Sequence, residues 1–140
     1  MQTWIIYAIL SMVFAGFTSI LAKHGLENVH ADVGLAVRTT VIFVLVALLN
    51  LVDERYRQVT DLSTGQLIAL VLSGVTTTLS WVFYYRAMKD GLVSYVAAID
   101  KGSILITLTL SFLIFREPVT PKIIIGGALV FAGIFVLTWR

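Results

Sequence analysis

At 140 residues and 15.4 kDa, the chain is 59% hydrophobic and 13% charged, with a mean hydropathy of +0.95. A soluble domain runs to about 45–50% apolar and about 25% charged residues, and one this short has too little interior to hide the excess. The absence of Cys excludes an extracellular disulfide scaffold. Ten basic residues that form no face or tail, against eight acids, exclude a nucleic-acid binder despite a pI near 9.1.

Charge is clumped as well as scarce: stretches 2–22, 39–52, 62–85, 102–115 and 123–139 carry none. A membrane-crossing helix needs about 20 mostly apolar residues. In chain order, this predicts five spans, at 4–22, 33–52, 64–87, 92–115 and 120–139. The first has no basic leader, a long apolar run and no A-x-A-like cleavage site, so it reads as a span and not as a signal peptide. A polar linker with Gly25 and Asn28 follows, and the next linker carries DERYRQ and an Asp-Leu-Ser helix start at 61–63. Residues 88–91 read as a four-residue turn, and REPV at 116–119 as a tight corner where Pro118 biases Glu117 away from helix. Pro121 falls in the first turn of the fifth span, where its missing N–H costs little.

Such short links make consecutive spans antiparallel neighbours and leave no room for an aqueous domain. A membrane β-barrel requires strictly alternating segments of about ten residues, whereas LIALVLSGV and IIIGGALVFAGIFVL are continuous apolar runs. The expected architecture is therefore all-α: a polytopic membrane helix bundle with five transmembrane helices per chain. It forms one domain over residues 1–140, placed in the plasma membrane of a bacterium or archaeon.

Three charges interrupt this profile. Arg38 lies five positions inside the second span, and Asp100 and Lys101 eight and nine inside the fourth. Moving the boundaries past them leaves spans of roughly 21 Å at the helical rise, too short to cross, so all three belong within the membrane profile. Arg38 and Lys101 are long enough to snorkel; Asp100 is not. Asp100 is the only acid inside any span, and such a charge marks a functional site by default. Counted from the same membrane side, Asp100 and Arg38 stand about 12 Å and about 8 Å deep, close enough in depth to meet. Lys101, about 100° further round a continuous helix, does not share that face.

Basic residues divide evenly between the two sides. Arg55, Arg57, Arg116 and Lys122 lie on the N-terminal side; Lys23, Arg86, Lys89 and Arg140 lie on the other, with Arg38 a possible fifth. The positive-inside rule reads this difference, and here it is near zero. One reading is a single weakly determined orientation. The other is insertion both ways with antiparallel pairing, giving ten helices in the inverted-repeat geometry of many secondary transporters.

The chain resembles one half of a drug/metabolite transporter, specifically a single EamA-type repeat. The resemblance rests on FAGFTSILAKHGL closing the first span and on YYRAMKDGLVSYVAAIDKGSILITLTLSFLIFREPVT at the third-to-fourth junction. It extends to the Gly-rich IIIGGALVFAGIFVL of the fifth, and so covers nearly the whole sequence. Many members join two such repeats, so the resemblance implies a homodimer or a paired half-transporter. The related four-helix small multidrug-resistance proteins carry a Glu in their first helix; here the first span holds no carboxylate.

The functional reading is a hydrated cavity lined by Arg38, Asp100 and Lys101, with Lys23 and Arg86 at its mouth. Its positive balance suits a small solute with a carboxylate or phosphate. The structural reading pairs Asp100 with Arg38 and lets Lys101 snorkel. Trp81 and Tyr85, four apart on one face with Tyr84 on the flank, form a cavity wall together with Tyr95, or else part of an interfacial aromatic belt. Trp4 and Trp139 fit that belt. Thr77, in the Thr76–Ser80 hydroxyl cluster, lines the cavity or serves helix packing.

In the fifth span, Gly126 and Gly133 are seven apart and Ala128 and Ala132 four apart, a small-residue seam for close helix approach and dimerisation. Gly16 and Gly74 mark close crossings. His24 and His30 read as surface residues. No catalytic residue, metal site or cofactor is expected. The partners are the lipid bilayer and a small-molecule substrate, without nucleic acid. Alternating-access transport by a dimer is the leading expectation, and a non-transporting accessory or scaffold subunit the alternative.

Overall fold

The computed structural model describes residues 2–53 and 55–139; Met1, Glu54 and Arg140 lie outside the described residues, so Arg140 of the basic balance is not placed. Five helical segments, Thr3–Gly25, Ala31–Val52, Thr64–Asp90, Val93–Ile114 and Pro121–Thr138, are long and apolar enough to cross a membrane. No strand occurs among the described residues, and the chain is an all-α, multi-pass membrane protein.

Two compact units divide it, Met1–Asp90 and Gly91–Arg140. The first holds α1 (Thr3–Gly25), α2 (Ala31–Val52), a seven-residue 3₁₀ segment (Arg55–Asp61) and α3 (Thr64–Asp90). The second holds α4 (Val93–Asp100), α5 (Ser103–Ile114) and α6 (Pro121–Thr138).

Helix ends follow local chemistry. α1 runs three residues beyond its expected end, because Lys23 and His24 in its last turn suit the negative pole of the helix dipole. The N-cap of α2 is His30, whose Nδ1 accepts the Asp32 N–H at 3.3 Å. α3 opens on a reciprocal capping box: Gln66 Oε1 accepts the Ser63 N–H at 2.9 Å, and Ser63 Oγ accepts the Gln66 N–H at 3.3 Å. Thr120 caps α6 by accepting the Ile123 N–H at 3.4 Å, and Pro121 occupies the first turn as expected.

Two expectations need correction. Residues 88–91 are not a four-residue turn: α3 continues through Asp90, leaving only Gly91 and Leu92 as the link. The fourth span is not one continuous helix, for α4 ends at Asp100 and α5 starts at Ser103. At this break the hydrogen bonds tighten to i→i−3, with Gly102 N–H to Ile99 O at 2.8 Å, Ile104 N–H to Lys101 O at 3.1 Å and Leu105 N–H to Gly102 O at 3.0 Å. Gly102 permits the tight turn, since a Cβ there would stand 2.9 Å from the Ile99 carbonyl oxygen. α5 then stops before Pro118, where Arg116 takes a left-handed backbone (φ 53°) and turns the chain out of the helix.

The core of the first unit sits at one end of its helices. Leu26, Ala31, Leu35, Tyr85 and Met88 are its buried apolar residues, on the α1–α2 linker, the first turns of α2 and the last turns of α3. Leu26 (2% exposed) seats against the bare backbone of Gly34, where an added Cβ would fall 2.6 Å from Leu26 Cδ2. Truncating a buried Leu leaves a cavity that costs about 2–5 kcal/mol. Leu26→Ala is therefore expected to lower the thermal midpoint of the detergent-solubilised protein, and an unchanged midpoint would remove Leu26 from the core. In the second unit α6 packs against both α4 and α5, with Gly127 meeting Leu108 Cδ1 at 3.4 Å from its virtual Cβ.

Candidate functional site

Lys23, Asp32, Arg86 and Lys89 tie the buried end of the first unit together. Lys23 Nζ donates to the Met88 and Lys89 carbonyls at 2.8 and 3.1 Å, satisfying the C-terminal carbonyls of α3. In return Lys89 Nζ donates to the Leu26 carbonyl at 2.7 Å, at the end of α1. Each helix thus supplies the cation for the other's negative pole. Arg86 Nε and Nη2 each reach one Asp32 carboxylate oxygen at 3.1 Å, a bidentate fork joining α3 to the first turn of α2. Lys23 and Arg86, expected at a cavity mouth, are both held in this network. Asp32 was not singled out from sequence and Lys89 entered only the balance of basic residues, although Asp32, Arg86 and Lys89 all lie within a turn or so of one expected membrane boundary.

Further along the helices stands Arg38, seven positions after Ala31 and so roughly 10 Å along the axis. Its guanidinium carbon lies 4.4 Å from the Trp81 ring centroid and 5.6 Å from that of Tyr85. The two rings share a face because they are one turn apart on α3, and they hold the cation by its attraction to their π-electrons. Sequence spacing put the pair on one face and left it as a cavity wall or part of an aromatic belt; that its partner is Arg38 required the packing of α3 on α2. Thr77, one turn before Trp81, is exposed.

Beside this triad opens a cleft of ≈ 580 Å³ between α1, α2 and their linker. Its walls are Leu21, Ala22, Gly25, Leu26, Val29, Val33, Gly34 and Val37, and its polar groups are Thr18, Tyr85 and Arg38. Thr18 returns its hydroxyl proton to the Phe14 carbonyl at 2.8 Å. The same i→i−4 bonding to the helix's own backbone occupies Thr39, Thr40, Thr78, Thr107, Thr109 and Thr138. Each of these hydroxyls therefore spends its proton within its own helix and offers its surroundings only an acceptor oxygen. A bond between helices does form at Tyr84, whose hydroxyl donates to Ser19 Oγ at 2.8 Å.

Asp100 and Lys101 lie in the second unit, at the break between α4 and α5. They are not on separate faces of one helix as a continuous fourth span implies. Where the helix stops, Lys101 Nζ reaches Asp100 Oδ2 at 3.3 Å, with side-chain exposures of 67% and 35%. Tyr95 is exposed on α4.

Within its unit, α6 uses Ile123, Gly127, Val130 and Ile134 for contact, while Gly126, Ala128, Ala132 and Gly133 remain exposed. At 3.6 residues per turn, the glycine pair and the alanine pair fall roughly 130° apart, forming two edges instead of one seam. Trp4 and Trp139 are exposed. His24 pairs with Glu27 at 3.2 Å.

Five lipid-compatible helices define a polytopic membrane protein, and its first unit sets a cation against aromatic rings beside an apolar cleft. Residues 2–139 match the EamA-like transporter family, and the chain belongs to that family. It is similar to a Sinorhizobium protein described as an uncharacterized transporter in cobO 3'region. The two are 31% identical over 136 residues, covering 97% of this chain and 96% of that protein. No solved structure matches it significantly. Membrane transport is accordingly its general function.

Proposed function

We propose that the chain is one half of a dimeric, alternating-access transporter in a bacterial inner membrane, and that it binds a small anionic solute at Arg38. The observation that carries the reading is the guanidinium itself, held against Trp81 and Tyr85 at the edge of the ≈ 580 Å³ cleft. A charge in a membrane segment is costly and retained for function. Among the described residues of its unit, Arg38 meets rings and not a carboxylate. Its hydrogen-bonding edge therefore remains for a carboxylate or phosphate brought by a substrate. Uptake of labelled anionic metabolites into proteoliposomes, compared between the wild-type protein and Arg38 variants, tests it directly.

Pairing of two copies is supported by the even basic balance and by an odd number of spans, which joins into a ten-helix inverted repeat only when one half is turned over. It is also supported by the exposed Gly126–Gly133 edge, which permits close helix approach. With no native Cys, Glu27→Cys and Gln58→Cys report sidedness without background. Both positions are exposed, one in the α1–α2 linker and one in the 3₁₀ segment. Antiparallel pairing requires each probe to be labelled by an impermeant thiol reagent from both membrane sides. Strictly one-sided labelling overturns it.

A further inference from the structure

The cleft beside Arg38 also carries information about the rest of the solute, and this step rests on the Arg38 site proposed above. Its wall is aliphatic from Leu21 to Val37, and no acidic residue lines it among the described residues. One guanidinium neutralises one negative charge. A second negative charge, or an ammonium group, brought into this cleft would meet no opposite charge and would be left without its water shell. An ammonium carries three N–H donors that need acceptors. Of the cleft's hydroxyls, Thr18 gives its proton to its own helix and leaves a single oxygen to accept, too few for three N–H donors, and Tyr85 is nearly fully buried. The guanidinium, by contrast, carries a planar fork of N–H donors that matches a carboxylate, and its contacts with Trp81 and Tyr85 bring it no carboxylate oxygen.

We infer that the cleft selects an amphipathic monocarboxylate, an apolar body carrying one carboxylate and no α-ammonium, over the zwitterionic amino acid of the same shape. Its volume falls within the range of about 300–1,000 Å³ that accommodates such bodies, while a sugar phosphate would set hydroxyls and a second charge against Leu, Val and Ala side chains. The chemistry fits equally the acyl chain and headgroup of an anionic lipid, so the test separates the two sources.

The probes are hydrocinnamate, free phenylalanine and hydrocinnamyl alcohol, which share one body and differ in head group. Binding is measured by calorimetry to the full chain in phosphatidylcholine nanodiscs, with Arg38→Ala and the cleft-filling Ala22→Leu as variants. Hydrocinnamate is expected to bind about tenfold or more tightly than either companion, the order of penalty for burying an unpaired polar group or forgoing a charged hydrogen bond. The preference is expected to vanish in R38A, and affinity to fall in A22L.

Phenylalanine binding as tightly as hydrocinnamate, with both lost in R38A, overturns the selectivity while leaving the anion site standing. Equal binding of all three, or binding indifferent to R38A, overturns the site itself. Replacing phosphatidylcholine with phosphatidylglycerol is expected to leave hydrocinnamate binding within a few-fold. Its loss there, with restoration by free lipid removal, assigns the cleft to lipid and overturns the soluble solute.

Discussion

Arg38→Ala is expected to lower solute uptake by about 30-fold to several thousand-fold at limiting substrate, while the protein still inserts and purifies. Losing one partner of a desolvated charge pair costs about 2–5 kcal/mol, and here the forsaken partner is the solute's anionic group. Folding is spared because Arg38 is only half-buried and its contacts are ring faces rather than a carboxylate that would be orphaned. Arg38→Lys separates charge from geometry. An ammonium keeps the charge but loses the planar fork and much of the stacking on Trp81, so uptake is expected to fall by about tenfold, between wild type and R38A. Trp81→Ala is expected to resemble the Lys variant, since it frees the guanidinium to wander. Uptake in R38A equal to wild type would leave the cleft without a transport role.

Gly102→Ala tests the break in the fourth span. A methyl group at this position would approach the Ile99 carbonyl oxygen to 2.9 Å, closer than ordinary contact, and the oxygen belongs to the backbone. Strain is relieved by opening the i→i−3 turn toward α-helical geometry, for which Ala has the highest propensity. The expected product is a straighter, continuous helix from Val93 to Ile114, in which Lys101 swings about 100° away from Asp100. A hinge residue commonly alters turnover and apparent affinity together. G102A is therefore expected to fold with unchanged or slightly raised thermal stability and to transport about tenfold more slowly. Spin labels at Ser94 and Leu110 would report the change of helical geometry as a shifted distance. An unchanged distance, or full transport with a straight helix, would deny the break a role.

Much of this was legible in the sequence for a simple reason. A helix in lipid must satisfy its backbone internally and offer apolar side chains all round, so length and hydropathy fix the number of spans with little help from packing. Helix starts are similarly local: the Asp-Leu-Ser start of α3 and Pro121 in the first turn of α6 need only a few neighbouring residues, whereas the end of α1 was set three residues short. The Trp81–Tyr85 face follows from helical period alone.

What remained out of reach depended on distances between helices or on departures from the period. The bidentate Asp32–Arg86 fork, and the exchange of lysine caps between α1 and α3, join residues more than fifty positions apart. No run of sequence contains both partners. Asp100 and Lys101 were assigned to separate faces on the assumption of an unbroken helix, and the Gly102 turn undoes that assumption. The sequence by itself determined that the chain is five apolar helices with three charges at unusual positions, because solvation by lipid is a property of each segment. Only the tertiary structure decided that Arg38 faces two aromatic rings beside an open cleft, because that choice is made by how α2 and α3 rotate against one another.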